Sequence, residues 1–221
     1  GGDRPGNNLF GNTTVAIDIR TGELEWHFQN IHHELWDYNL PPAPGLFTIE
    51  KDGQQIPALA QVGKSGFMFI LNRETGEPVH PIIETAVSTE TDREGEQPYP
   101  TQPIPHMANG ERMEPVSPVF PEDIAPEHLE GKRLVPQYTP LAQDIIFAPG
   151  MGGGASYAPI AYSPQTGLLY VTAIDRPHNS GRGPRGYFSA YDPTTGELVW
   201  RQIFEGYGQS GPVVTAGGVV F

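Results

Sequence analysis

Apolar and polar residues alternate over short stretches of the chain, which is the pattern of half-buried β-strands. In one such stretch, Leu24, Trp26 and Phe28 alternate with charged or imidazole side chains. Further strands are predicted at residues 67–71 and 168–173, and the second of these follows a Thr-Gly turn. The alternation therefore predicts a protein made mainly of short strands and turns.

The first of these strands belongs to a sequence unit that occurs more than once. Residues 16–26 and residues 190–200 both fit the pattern A-x-D-x-x-T-G-x-x-x-W. A weaker copy covers residues 71–80, where Asn72 replaces the aspartate and His80 replaces the tryptophan. Repetition at intervals of tens of residues is typical of propellers and other repeat architectures.

Each copy of the unit predicts a β-hairpin. The Asp18 carboxylate can accept hydrogen bonds from amides of the turn, and Gly22 suits a position with positive φ. Several such hairpins predict blades of a β-propeller, about four of them in this chain. A β-sandwich with coincidental turns is the alternative. In a propeller, Trp26 and Trp200 are expected to be mostly buried between neighbouring sheets.

The segment from residue 78 to residue 149 differs from the rest of the chain. It contains 13 of the 24 prolines and shows little alternation. A Pro-rich stretch of this length is either a linker or an ordered excursion over the surface. A short helix is predicted at Pro121–Leu129, where acidic residues follow prolines. The ordered excursion is favoured by the apolar residues Ile82, Ile83, Tyr99, Ile104, Val119 and Phe120.

Composition narrows the class of protein further. The 221 residues include 24 Pro and 27 Gly, which favours turns over long helices. A formal net charge of −13 disfavours nucleic acid as a partner, because an acidic surface repels phosphate.

The sequence also lacks the features of several other classes of protein. The absence of cysteine excludes disulfides and thiolate metal sites. No apolar run approaches the roughly 18 residues of a membrane span. The chain begins without Met and ends on an apolar, strand-like pattern, which predicts a segment of a longer protein.

The segment from His32 to Pro42 carries the densest set of chemically active side chains. It follows a predicted strand and leads into a Pro-rich turn, where functional residues are common. Adjacent residues of an extended chain point to opposite faces, so His32 and His33 are not expected to share a metal ion, and structural roles are the simpler interpretation. Asp37 lies between two aromatic residues that can desolvate its carboxylate. Composition alone leaves open whether Asp37 is a general base.

Several motifs taken together resemble the PQQ-dependent (quinoprotein) dehydrogenases, and most closely their glucose, quinate and polyol branch. The matching segments are DRPGNNLF from residue 3, HHELWDY from 32, GKSGF from 63, NRETGEP from 72, PTQP from 100 and GGG from 152. They occur in the family's order and cover nearly the whole chain. The resemblance implies an all-β fold: residues 1–221 would form part of an eight-bladed β-propeller that holds pyrroloquinoline quinone (PQQ) and a Ca²⁺ or Mg²⁺ ion near its axis.

The resemblance also implies roles for two residues of these motifs. Asp37 would act as the general base, taking the proton of a substrate hydroxyl while hydride passes to the quinone, and would also bind the metal ion, which acts as a Lewis acid. Lys64 would place its ammonium against the quinone oxygens and offset the negative charge that develops there. An ordinary surface lysine is the alternative for Lys64. Asp37 and Lys64 are therefore expected to converge on one concave region.

Further contacts with the cofactor are implied for Trp36, Gly154 and Ser156. The family's glycine cluster usually continues Ala-Asn-Trp, whereas here it continues Ala-Ser-Tyr. The Ser156 hydroxyl can donate one hydrogen bond but has a shorter reach than an asparagine amide. Asn39 stands where lanthanide-using relatives carry aspartate, which favours Ca²⁺ or Mg²⁺.

The implied protein is a periplasmic dehydrogenase that acts on a small alcohol or sugar and passes electrons to a membrane quinone or a cytochrome. Any membrane association would come from segments outside this chain. A non-catalytic propeller scaffold would explain the repeat, but it would not require Asp37 and Lys64 at their family separation. A metal-dependent hydrolase would need a ligand spacing that is not recognisable among His32, His33, His106, His128 and His178.

Overall fold

The computed structural model describes residues 2–114 and 124–221, and this part of the chain is almost entirely β-structure. Its first strands are β1 (Thr13–Ile17), β2 (Leu24–Gln29), β3 (Gly45–Lys51), β4 (Gln54–Val62), β5 (Met68–Asn72), β6 (Ile82–Ala86) and β7 (Thr101–Pro105). They are followed by helix α1 (Pro126–Leu129) and strands β8 (Arg133–Leu134), β9 (Ile145–Ile146), β10 (Ala161–Ser163), β11 (Leu168–Asp175), β12 (Arg185–Tyr191) and β13 (Leu198–Glu205). The all-β prediction is confirmed. Within the described ranges, no helix is long and apolar enough to cross a membrane.

The strands form sheets in which neighbours in sequence are neighbours in space. The described residues contain the pairs β1–β2, β6–β7 and β8–β9, the three-stranded sheet β3–β4–β5 and the four-stranded sheet β10–β11–β12–β13. A bridge between Leu71 and Pro78 adds the start of a further strand beside β5. One sheet therefore has all four strands of a propeller blade, and the others have two or three in the part of the chain that the structure describes.

The repeated sequence unit forms the predicted hairpin turn. The Oδ1 atom of Asp18 accepts hydrogen bonds from the amides two and three residues later, at 2.7 and 3.2 Å. Asn72 and Asp192 each accept one from the amide two residues later, at 2.9 and 2.8 Å. Gly22 has a φ of 76°, which a residue without a Cβ adopts at little cost. The turn chemistry read from the sequence is thus present in all three copies.

Trp26 joins the first hairpin to the next sheet. Its ring is half-buried, and its Nε1 donates a hydrogen bond to the carbonyl oxygen of Arg73 at 3.0 Å. The ring lies directly over Gly76, where a Cβ would come within 2.6 Å of it. The tryptophan of one repeat therefore packs on the turn of the following one.

Trp200 does not show the burial that was predicted for it. It is 38% exposed, although its ring contacts those of Phe188 and Tyr170 at centroid distances of 5.3 and 6.0 Å. The prediction was wrong because the rings that contact Trp200 belong to β11 and β12 of its own sheet, and among the described residues no ring of a neighbouring sheet covers it.

Two hydrophobic cores connect the sheets. The first lies between the β3–β5 sheet and the β10–β13 sheet, and in it the ring of Phe47 stacks on that of Tyr162 at 5.1 Å. The second contains a group of buried aromatic side chains, called the aromatic cluster below: Trp36, Tyr38, Phe67, Phe69, Tyr138 and Phe147.

The Pro-rich segment is an ordered excursion in its described parts. It forms the β6–β7 hairpin, helix α1 and the short parallel pair β8–β9. Ile104, Tyr138 and Ile145 from this segment are buried in the second core. The predicted helix is shorter than expected, because α1 begins at Pro126; residues 121–123, like Val119 and Phe120, lie outside the described residues.

A pair of glycine substitutions tests the contact between Trp26 and the neighbouring turn. Gly22 and Gly76 both have a φ of 76°, but only at Gly76 would a Cβ meet another residue. Gly22→Ala is expected to cost about 1–2 kcal/mol for the left-handed backbone. Gly76→Ala should cost roughly a further 1–3 kcal/mol, because the Trp26 ring must move. Denaturant unfolding of the full-length protein measures both, and equal losses of stability would contradict the packing described here.

Candidate active site

Three loops from different sheets meet at one place. The loop between β2 and β3 carries Asp37, and the turn between β4 and β5 carries Lys64. The Lys64 amide donates to the carbonyl oxygen of Asn39 at 3.2 Å, and the Ala155 amide donates to that of Gly63 at 3.0 Å. Backbone hydrogen bonds therefore fix the Lys64 turn between the Asp37 loop and the glycine cluster.

Asp37 and Lys64 form an ion pair at this junction. The Nζ atom of Lys64 donates a hydrogen bond to Oδ2 of Asp37, across 27 residues of sequence. The lysine side chain is 10% exposed and the aspartate side chain 54% exposed. Lys64 is therefore not an ordinary surface lysine, because its aliphatic part is buried and its ammonium contacts a carboxylate that solvent can reach. The convergence of the two side chains is observed, and their catalytic roles remain predictions.

The loop conformation around Asp37 depends on Glu34. Asp37 has a φ of 57°, in the left-handed region that residues with a Cβ seldom adopt. The Oε1 atom of Glu34 accepts hydrogen bonds from the amides on both sides of it, those of Trp36 at 2.5 Å and Tyr38 at 2.8 Å. Sequence reasoning missed this role, because a nearby acidic residue is too common a signal to single out.

Aromatic anchors hold the loop from both sides of Asp37. Trp36 is 1% exposed and its Nε1 donates to the carbonyl oxygen of Thr139 at 2.6 Å. The Tyr38 hydroxyl donates to the carbonyl oxygen of Pro149, and burial raises the pKa of Tyr38 well above its usual value, so the hydroxyl keeps its proton. The cofactor contact predicted for Trp36 is not supported by this placement, since a ring buried in the aromatic cluster offers no surface to a ligand.

The glycine cluster, residues 152–154, packs closely against the Lys64 turn. Gly154 has a φ of 72°, and a Cβ on it would lie 2.3 Å from the carbonyl oxygen of Lys64. No other residue type fits here without a shift of the backbone. Ser156 is buried two residues further on, beside the Ala155 that bonds to Gly63. Gly154 and Ser156 thus lie at the junction, and their contact with a cofactor remains a prediction.

The two neighbouring histidines have structural partners on different sides of the loop. His33 is fully buried, with Nδ1 2.8 Å from the carbonyl oxygen of Gly6 and Nε2 3.1 Å from that of Gly2. His32 lies with Nε2 3.0 Å from a carboxylate oxygen of Glu84. These partners give both imidazoles a structural role, and the expectation that they do not share a metal ion stays a prediction.

Metal ligands are sparse in this part of the protein. Residues 2–114 and 124–221 contain no group of three or more His, Cys, Asp or Glu side chains that could hold a metal ion. A hard cation such as Ca²⁺ takes roughly 6–8 oxygen ligands. Asp37 can therefore supply one carboxylate of such a site, which other ligands would have to complete.

Comparison with known proteins identifies the relatives of this chain. Residues 1–181 match the family described as PQQ glucose/ethanol/alcohol dehydrogenase, beta-propeller domain. Quinoprotein glucose dehydrogenase of Gluconobacter oxydans is 32% identical over 84% of this chain and 24% of its own length. Quinate/shikimate dehydrogenase (quinone) of Acinetobacter baylyi is 32% identical over 77% of this chain and 22% of its own length. The chain thus spans about a quarter of the length of these relatives.

Solved structures show the same fold. A quinohemoprotein alcohol dehydrogenase from Comamonas testosteroni superposes with a TM-score of 0.65 at 20% identity, covering 97% of this chain and 32% of that protein. A europium-containing methanol dehydrogenase gives a TM-score of 0.64 at 23% identity, covering 97% of this chain and 37% of that protein. Together with the extent of the family match, these similarities show that the chain belongs to the PQQ-dependent dehydrogenase β-propeller family, and within it resembles the glucose dehydrogenase branch.

Proposed function

We propose that this chain supplies the general base and a cationic cofactor contact of a quinoprotein dehydrogenase that oxidises the hydroxyl group of an alcohol, a polyol or an aldose. The observation that carries the proposal is the ion pair between Asp37 and Lys64 at the junction of three loops. Family membership supports it, since relatives are named as glucose, glycerol and quinate/shikimate dehydrogenases.

The residues at the junction fit PQQ and a hard divalent cation. Lys64 offers a buried ammonium that suits the oxygens of an anionic quinone, and Asp37 offers the carboxylate oxygen that Ca²⁺ or Mg²⁺ prefers. When bound, PQQ would supply a hydride acceptor and the cation would supply a Lewis acid. Trp36 is left out of the proposed cofactor contacts, whereas Gly154 and Ser156 are kept.

Asp37 and Lys64 have separate tasks in this proposal. Asp37 accepts the hydroxyl proton of the substrate at its carboxylate, which is exposed enough for a substrate to approach. Lys64 orients that carboxylate through the ion pair. Its positive charge also offsets the negative charge that develops at the quinone oxygens. Glu34 holds the loop of Asp37 in one conformation through two amide hydrogen bonds. The aromatic cluster excludes water from the buried side of the loop that carries Asp37.

The same family assignment supports a proposal for the setting of the enzyme. We propose that residues 1–221 are one part of a propeller domain in a periplasmic protein, and that electrons leave to a membrane quinone or a cytochrome. One relative is named as a quinone-linked dehydrogenase, which supports the first acceptor. The formal charge of −13 argues against a nucleic acid partner.

Removing the proposed base tests the mechanism. Asp37→Asn keeps the size of the side chain but cannot take up the proton, so kcat should fall by about 10²-fold or more with PQQ and Ca²⁺ saturating. Steady-state reduction of an artificial electron acceptor by the reconstituted full-length protein measures this. Asp52→Asn is the matched control, because Asp52 also has a left-handed φ, of 53°, in the turn between β3 and β4. Wild-type turnover by Asp37→Asn would refute the assignment.

Substitution of Lys64 should slow the reduction of PQQ more than it weakens the binding of PQQ. Lys64→Ala is expected to slow cofactor reduction even at saturating PQQ, because it removes the charge that stabilises the reduced form. Lys64→Arg should be milder but not neutral, since a planar guanidinium does not replace an ammonium. Single-turnover absorbance of bound PQQ measures the rate. Lys51→Ala serves as control, and a loss restored by excess PQQ would show that Lys64 only binds the cofactor.

Glu34 should behave as a positioning residue for Asp37. Glu34→Ala leaves the amides of Trp36 and Tyr38 without their acceptor, and the loop loses its fixed conformation. We expect kcat to fall by roughly tenfold, because misplacement of a reacting group is costly. Glu34→Gln retains an acceptor oxygen and should recover most of kcat. Equal kcat in Glu34→Ala and wild type would contradict the role.

A further inference from the structure

Residues 137–139 of the Pro-rich segment contact the loop that carries Asp37. The carbonyl oxygen of Thr139 accepts the hydrogen bond from Trp36 at 2.6 Å. The ring of Tyr138 is buried, and it contacts the ring of Trp36 in a T-shaped arrangement at a centroid distance of 5.1 Å. Since Trp36 is the residue before Asp37, this part of the Pro-rich segment is attached to one half of the ion pair.

Gln137 attaches the same segment to the turn that carries Lys64. Its Nε2 atom donates a hydrogen bond to the carbonyl oxygen of Ser65 at 2.6 Å, across 72 residues of sequence. Ser65 is buried, and a buried carbonyl group needs a hydrogen-bond partner, which Gln137 provides. The main-chain hydrogen bonds to the neighbouring loops involve Gly63 and the Lys64 amide. Gln137 therefore holds the turn on the other side of the lysine.

Arg112 determines which way the Gln137 amide faces. Its Nη2 atom donates a long hydrogen bond to Oε1 of Gln137, at 3.4 Å. The guanidinium is itself held in place, because its Nε lies 2.7 Å from a carboxylate oxygen of Glu114 and its Cζ lies 5.0 Å from the ring centroid of Phe67. A guanidinium can only donate hydrogen bonds, so it selects the amide oxygen and leaves the amide NH₂ group facing Ser65.

We propose that Gln137 is a positioning residue of the active site proposed above, and that it holds Lys64 in place for its contacts with Asp37 and with the cofactor. Gln137 acts through the backbone, because its hydrogen bond ends at the carbonyl group of the residue after Lys64. Without this bond the turn gains freedom, and the ammonium can move away from the carboxylate. The effect on the cofactor rests on the proposed function, whereas the effect on the ion pair can be measured without it.

Acetylation of lysine tests the positioning without the cofactor. Gln137→Met keeps the size of the side chain and removes the donor. The full-length protein without PQQ is treated with acetic anhydride, and peptide mass spectrometry measures the rate at each lysine. Lys64 should be acetylated about threefold to tenfold faster in Gln137→Met, since one lost hydrogen bond shifts an equilibrium by this factor. Lys51 is the internal reference, because its Nζ donates to the carbonyl oxygen of Val79 at 2.7 Å. An equal increase at Lys51 would overturn the proposal.

A double-mutant cycle tests whether Gln137 acts through Lys64. With PQQ and Ca²⁺ saturating, Gln137→Met should slow single-turnover reduction of PQQ by about threefold to tenfold, because the ammonium is misplaced. The same substitution in a Lys64→Ala background should have no further effect, since the group that Gln137 positions is then absent. An equal loss in both backgrounds would contradict the proposal. Gln143→Met is the control, because Gln143 is exposed in the same segment.

The two measurements distinguish failure of this inference from failure of the proposed function. Gln137→Glu serves as a second variant of nearly the same shape, because an ionised carboxylate cannot donate to the Ser65 carbonyl group. If Lys64→Ala leaves PQQ reduction unchanged but both Gln137 variants speed acetylation of Lys64, the proposed function fails and the positioning of Lys64 by Gln137 is supported. If Lys64→Ala slows PQQ reduction but both Gln137 variants behave as wild type, the proposed function stands and this inference is wrong.

Discussion

The close approach of two backbones, at Gly154 and Lys64, determines where the loops of different sheets meet. Because Gly154 has no Cβ, its backbone can lie directly against the carbonyl group of Lys64. The amide of the next residue then bonds to Gly63, and the Lys64 amide bonds to Asn39. The Lys64 turn is thus clamped on both sides by main chain. A lysine held in this way presents its ammonium at a fixed position, which a charge–charge contact with Asp37 requires.

The other half of the ion pair is held mainly by the burial of its neighbours and by side-chain hydrogen bonds. Asp37 is exposed, but the residues before and after it are anchored in the aromatic cluster. Glu34 bonds to both flanking amides, so the left-handed conformation of Asp37 is stabilised locally as well. The Asp37 loop is in this respect like many functional sites, where a strained backbone carries the side chain and several surrounding contacts hold that backbone in place.

Much of the fold could be predicted from the sequence because its determinants are local. Strand periodicity and the Asp-to-Gly turn chemistry depend on a few consecutive residues, and they correctly predict the hairpin at Asp18 and Gly22. The meeting of Asp37 and Lys64 followed from motif resemblance, since no local rule predicts it. The exposure of Trp200 and the burial of Trp36 depend on which strands and rings pack around them. Such long-range contacts have no signal in a single sequence.

The sequence separation between contacting residues affects how this protein folds. The hairpin turns close over a few residues, whereas Trp36 bonds to a carbonyl 103 residues away and Tyr38 to one 111 residues away. Closing loops of that length costs more chain entropy than closing a hairpin, and non-local contacts slow folding. The hairpins can therefore form early and independently, whereas the Asp37 loop acquires its shape only after the Pro-rich segment has docked. During folding the chain would pass through states in which its sheets are formed but its ion pair is not.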